Sequence, residues 1–112
     1  MLAAMTTATT TADPVLTRFR AALTELYGDR IERVVLYGSR ARGDAREDSD
    51  YDIALFLRDL DDRFAEVRRI VDIELAIRDE TDADIHTMPF PAGRWRDRTP
   101  LMHEIRKDGV DL

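Results

Sequence analysis

Two aspartates one residue apart, Asp50 and Asp52, follow a glycine–serine pair, Gly38 and Ser39, after ten intervening residues in LYGSRARGDAREDSDYDIALFL, Leu36 to Leu57. Side chains alternate across a strand, so an Asp-x-Asp opening one projects both carboxylates from the same face, close enough to share a hard cation. Two such carboxylates repel each other unless a divalent ion neutralises them, and magnesium completed by a substrate phosphate suits the pair. Gly38 lets the backbone approach a ligand, while Ser39, opening a helical turn, offers a hydroxyl and amides to an anion such as phosphate. Arg40 and Arg42 stand beside that corner, with charge for a polyphosphate or for ion pairs with Asp44, Glu47 or Asp48. A phosphate cradle at the end of one strand and a metal-binding pair at the start of the next are the minimum equipment for nucleotidyl transfer.

Aspartate is abundant here, and Asp-x-Asp also occurs at Asp48/Asp50, Asp59/Asp61 and Asp82/Asp84. Asp59/Asp61 falls where a helix should begin and reads as capping. Asp52 instead runs directly into Ile53, Ala54, Leu55 and Phe56, where a carboxylate is costly without a partner. A third carboxylate usually joins such a site. Asp84 is preferred to Asp82, which falls at a helix-to-strand turn where solvation accounts for it. His86, two residues beyond Asp84, would share its face and reach either a nucleotide or the metal's surroundings, or simply pack. Glu74 interrupts an apolar helix face and requires either a buried arginine, a place at the floor of the site, or water at the sheet's edge. Trp95, amid Arg94, Arg96 and Arg98, suits an interface anchor, an adenine stack or a lid on the small core.

These residues must be positioned by few elements. The chain has 112 residues, room for one domain with one modest core. Residues 1 to 12 are Thr- and Ala-rich, without periodicity, and read as a disordered leader; the domain spans 13 to 112. Asp13-Pro14 caps a helix with Val15, Phe19, Ala22, Leu23 and Leu26 at helical spacing up to Gly28. Ile31 to Tyr37 is a strand covered on both faces, and Tyr51 to Leu57 is a second. Asp61 to Glu80 is a long helix with Phe64, Val67, Ile70, Val71, Leu75 and Ile77 on a wide apolar face. Ala83 to Met88 is a third strand ended by Pro89, an irregular loop follows, and a short helix runs from about Pro100 to Lys107. The expected fold is a small α/β (α+β) sheet flanked by helices.

A net charge of −6 argues against a non-specific nucleic-acid binder. The absence of cysteine removes disulfides, thiolate metal sites and a cysteine nucleophile. No secretory signal pattern or membrane-length apolar run is found, which reads as a cytoplasmic protein with no membrane partner.

On Gly38, Ser39, Asp50 and Asp52, the chain resembles the nucleotidyltransferase superfamily of DNA polymerase β, specifically its minimal MNT branch, marked by Gly-Ser, ten residues and Asp-x-Asp. The similarity runs through VVLYGSRARGDAREDSDYDIALFL and, more weakly, to the Asp84 strand and IRKDGVDL. The resemblance implies a palm-like mixed sheet flanked by helices, Asp50, Asp52 and Asp84 as catalytic metal ligands for two magnesium ions, and Gly38, Ser39, Arg40 and Arg42 toward the nucleotide. It also implies ATP as donor and transfer of AMP to a hydroxyl. Many members of that branch are antitoxins that silence a helical HEPN ribonuclease toxin by adding AMP to a tyrosine, which implies a toxin partner in a hetero-oligomer. Larger relatives modify aminoglycosides with a further helical region or subunit, so a small-molecule acceptor and a non-catalytic toxin-binding antitoxin are the alternatives.

Overall fold

The computed structural model describes residues 13–112, so the leader reading of residues 1–12 lies outside the described residues. Helix α1, Pro14–Tyr27, starts where the Asp13 carboxylate accepts from the Val15 amide at 2.9 Å, with proline at a position that needs no donor. It buries Leu16, Phe19, Leu23 and Tyr27. The stripe is therefore rotated slightly from the expected one, and Leu26 is left exposed.

A short 3₁₀ turn, Gly28–Arg30, leads into β1, Ile31–Tyr37, whose consecutive Val34, Val35 and Leu36 are all buried, as expected of a strand covered on both faces. Then come the single-turn helix α2, Ser39–Arg42, and β2, Tyr51–Leu57. Helix α3, Arg63–Thr81, is capped by Asp62, which accepts from Ala65 N at 3.1 Å; neither Asp59 nor Asp61 fills that role. Its inward stripe is Glu66, Ile70, Glu74 and Ile77, whereas the expected apolar face is partly outside: Phe64 is 81% exposed and Leu75 52%.

Strand β3, Ile85–Pro91, runs through Pro89 rather than stopping there. It is an edge strand, with one side free of ladder bonds, where proline's missing amide is tolerated. A 3₁₀ turn, Arg94–Arg96, precedes α4, Pro100–Asp108, capped by Thr99, and the chain returns in β4, Val110–Asp111, a strand the sequence pattern had not indicated.

The sheet order is β3-β2-β1-β4, with β2/β3 parallel and the other pairs antiparallel, a mixed sheet as expected. Alternation along the strands builds two cores. Leu36, Tyr51, Ile53 and Leu55 pack beneath α1 and α3, while Val35, Ala54 and Phe56 meet Phe90, Met102 and Ile105 on the α4 side. Among the described residues no helix is long and apolar enough to cross a membrane.

Candidate active site

The antiparallel register sets Tyr37, at the end of β1, opposite Asp52, near the start of β2, so the glycine–serine corner and the aspartate pair meet at one end of the sheet. Gly38 has φ 76° and ψ −156°, a conformation essentially reserved for glycine. A β-carbon there would stand 2.5 Å from Asp52 Oδ2, so the absence of a side chain is what lets this carboxylate lie against the corner. The Gly38 carbonyl accepts from the Ala41 and Arg42 amides at 3.1 Å, winding α2 away from the strand. As the first residues of α2, Ser39 and Arg40 carry amides without an intrahelical acceptor.

Asp52 is half-buried, on the α4 face of the sheet. Burial pushes its carboxyl above the usual range, the nearby Asp50 and Glu104 charges push the same way, and His86 and Arg42 oppose them. Asp50 is exposed, and its Oδ2 lies 3.4 Å from His86 Nε2. His86 is the parallel-register partner of Asp52 on β3. Tyr37 borders the same end of the sheet, its hydroxyl raised by burial first and then by the charges of Asp52 and Glu104.

Asp84 is placed differently. Its backbone carbonyl accepts from Tyr51 N at 2.9 Å, which keeps it beside the aspartate pair in the chain's path, but its carboxylate pairs with Arg78 Nε of α3 at 3.3 Å. Strand alternation predicts a face shared with His86, yet Asp84 precedes the first strand residue, Ile85, and its side chain turns to the helix layer. Asp82 caps the C-terminus of α3 at φ 64°, which accounts for it without any role in the site. Among the described residues no three His, Cys, Asp or Glu side chains are gathered closely enough to form a ready-made metal cage.

The arginines have protein partners. Arg40 donates from Nε and Nη2 to Ser49 O at 2.9 and 2.8 Å and from Nη2 to Glu47 O at 3.1 Å, and its guanidinium stacks 3.9 Å over the Tyr51 ring. It holds the loop between α2 and β2. Tyr51 in turn donates to Asp13 Oδ2 at 2.7 Å; burial, followed by that hydrogen bond and the Asp13 charge, pushes its hydroxyl up to about 12. Arg42 pairs with Asp44 at 3.3 Å and with Glu104 at 3.8 Å.

Glu104 is the site residue that sequence reasoning missed. Its only signal is helical phase: it flanks the buried Met102/Ile105 stripe of α4, the helix that covers the Asp52 face of the sheet. Glu74 meets the edge strand: its Oε2 accepts the Thr87 amide at 2.9 Å. Burial raises its carboxyl, against the lowering effect of hydrogen bonding from Thr87 and of His86. Trp95 takes the core role, edge-on to Phe56 at 5.7 Å with Arg33 stacked 4.2 Å from its ring.

A mixed sheet that sets an aspartate pair against a glycine–serine corner defines a nucleotidyltransferase. The chain belongs to the polymerase β nucleotidyltransferase family, whose model matches residues 23–112. A relative from Methanocaldococcus jannaschii, which carries the name of a protein adenylyltransferase, is 28% identical over 98 residues, spanning 88% of this chain and 95% of its own. A toxin–antitoxin crystal structure with AMP-PNP superimposes with a TM-score of 0.59 at 19% identity, covering 83% of this chain and 68% of that one. The complex of a tri-AMPylated Shewanella oneidensis HEPN toxin with its MNT antitoxin gives a TM-score of 0.52 at 15% identity, covering 87% and 70%. At these identities the structural likeness shows the shared fold.

Proposed function

We propose that this nucleotidyltransferase moves AMP from ATP to a hydroxyl of a HEPN-type toxin, a tyrosine by preference, and so acts as the toxin's antitoxin in a cytoplasmic hetero-oligomer. The observation that carries the reading is the close approach of the Asp52 carboxylate to the Gly38 corner, which supports one site for the proposed metal and the proposed phosphate. The names of the adenylyltransferase relative and of the AMPylated-toxin complex support the choice of group and acceptor.

The donor set fits a hard divalent cation, since burial and then the Asp50 charge raise the Asp52 carboxyl, and a bound cation would offset both. Asp50 and Asp52 would hold magnesium, with Asp84 as the sequence-based candidate for a third ligand. When bound, the ion supplies charge neutralisation at the phosphates. The chain's own residues do the rest. The backbone at Gly38 and Ser39 gives the polyphosphate a close approach, and Arg42, on the rim, balances the carboxylates around it. Arg40 acts one step away by fixing the loop that delivers Asp50. In the transfer, the acceptor oxygen bonds to the α-phosphorus, the bond to the β-phosphate oxygen breaks, pyrophosphate leaves, and the hydroxyl proton passes to solvent or a site carboxylate.

The test is AMP transfer from ATP to the purified toxin by Asp50→Asn and Asp52→Asn variants. Both should keep the fold and lose transfer by at least about 100-fold. Full transfer by both variants would refute the catalytic reading. A folded Asp52→Asn protein that transfers nothing yet still silences its toxin would point to the non-catalytic antitoxin instead.

A further inference from the structure

Helix α4 covers β1 and β2 but leaves part of β3 bare. On the Asp52 face of the sheet, Met102 and Ile105 pack with Val35, Ala54, Phe56 and Phe90, while Met88, between His86 and Phe90 on the same strand face, stays outside that cluster and is 37% exposed. The other exposed large apolar side chains among the described residues, Leu26, Phe64, Val71 and Leu75, belong to α1 and α3. The Tyr37 hydroxyl donates to Met88 Sδ at 3.8 Å, from β1 across the intervening β2, where Ala54, the register partner of Met88, is small enough to leave room. Met88 is thus an apolar group held in the open, two residues from the imidazole that touches Asp50.

We propose that Met88 is the specificity-determining contact for the acceptor, and that the bare strip of β3 receives an aryl hydroxyl with its ring on the Met88 thioether and its oxygen at the aspartate pair. Resting on the AMP transfer proposed above, this contact selects the acceptor of that reaction. Direction is the first reason. In an in-line displacement the attacking oxygen enters opposite the leaving pyrophosphate. The Gly38 corner, where the polyphosphate would lie, stands at the end of β1, so the acceptor enters from the other side of β2, over β3. Length is the second. Same-face residues two apart on a strand lie about 7 Å from each other, so Met88 sits roughly one phenol's length from His86 and the Asp50 carboxylate beside it. An aliphatic hydroxyl carries nothing long enough to rest on Met88 while its oxygen is at the aspartates. Chemistry is the third, because a thioether sulfur makes favourable contacts with an aromatic ring.

The experiment follows the methionine methyl resonances of the full chain, labelled with ¹³C-methyl methionine, with Mg²⁺ and α,β-methylene ATP, which cannot give up AMP. The probes are N-acetyl-tyrosinamide and N-acetyl-threoninamide, and the Met88 signal is the one lost in Met88→Ala. The tyrosine probe should shift that methyl and the threonine probe should not. Met88→Ala should weaken the tyrosine probe about fivefold, Met88→Leu should restore it to within about twofold, and nucleotide affinity should stay within about twofold in both. A Met88 methyl unmoved by the tyrosine probe, or moved as much by the threonine probe, would overturn the proposal. So would a shift with the nucleotide alone joined to weaker nucleotide binding by Met88→Ala, which would make Met88 a contact of the base. AMP transfer to the toxin by Asp52→Asn separates this failure from that of the reaction: if that variant transfers like wild type, both fall together. If it transfers nothing and the tyrosine probe ignores Met88, only the acceptor contact falls.

Discussion

Replacing Gly38 with alanine inserts one methyl group between the glycine–serine corner and the Asp50/Asp52 pair. Two costs follow. The backbone at φ 76° and ψ −156° is nearly closed to residues with a side chain, a strain of about 1–3 kcal/mol. The new carbon would also lie 2.5 Å from Asp52 Oδ2, against a closest approach of 3.0 Å, so the carboxylate or the end of β1 must give way. Taking ~2 kcal/mol in all, a domain of this size should melt about 10 °C lower. Activity should suffer more: displacing a reactive group by about 1 Å costs on the order of 100-fold. Thermal unfolding and AMP transfer measured on Gly38→Ala check both figures, and the same substitution in an Asp52→Ala background isolates the contact from the strain. There the stability loss should shrink, because the opposing oxygen is gone. A Gly38→Ala protein that melts and transfers like the wild type, or an equal loss in both backgrounds, would refute the reasoning.

The other predictions test the scaffold. Glu74 has a raised carboxyl in the folded state, so its contribution to stability is present below its ordinary value of 4.5 and fades as pH rises through the folded value. Glu74→Gln keeps an acceptor for the Thr87 amide and should flatten that fall above pH 4.5 in denaturant titrations; unchanged curves would contradict it. Trp95→Ala should cost about 2 kcal/mol, less than a fully buried tryptophan, measured by chemical unfolding. Arg40→Ala should release the loop carrying Asp50 and lower AMP transfer about tenfold or more while leaving ATP affinity within about twofold, which separate titrations of the two would reveal.

The two central strands were legible from sequence because their apolar runs are bounded by Gly38 and by the aspartates, signals that do not depend on distant contacts. Helix faces were less so. In α3 the apolar residues wrap most of the cylinder, and only the sheet decides that Glu66 and Glu74 turn inward while Phe64 and Leu75 face water. Glu66 succeeds there because Tyr27 and Arg30, both distant in sequence, meet it at 3.1 and 3.2 Å, with Arg69 one turn further along the helix at 3.1 Å. The core of the site, Gly38 with Asp50 and Asp52, could be read because its members are joined by a short loop. Glu104 could not, since it arrives on a helix from the other end of the domain. Asp84 and His86 show the limit of alternation: the rule holds only where the strand has begun.

The position of β4 bears on when the protein becomes competent during synthesis. Strand β1 carries the glycine–serine corner at its end, and one of its two neighbours is β4, paired through Val35 with Asp111 and Leu36 with Val110. The Leu112 amide also donates to Val34 O at 2.9 Å. On the ribosome, β1 and β2 can zip together early, but the far edge of β1 waits until residues 110 to 112 have cleared the exit tunnel, a delay on the order of several seconds. Through that interval the nascent chain exposes an unpaired, apolar strand edge next to its future site. The β1 edge beside the glycine–serine corner therefore gains its second neighbour well after β2 has paired with the other side.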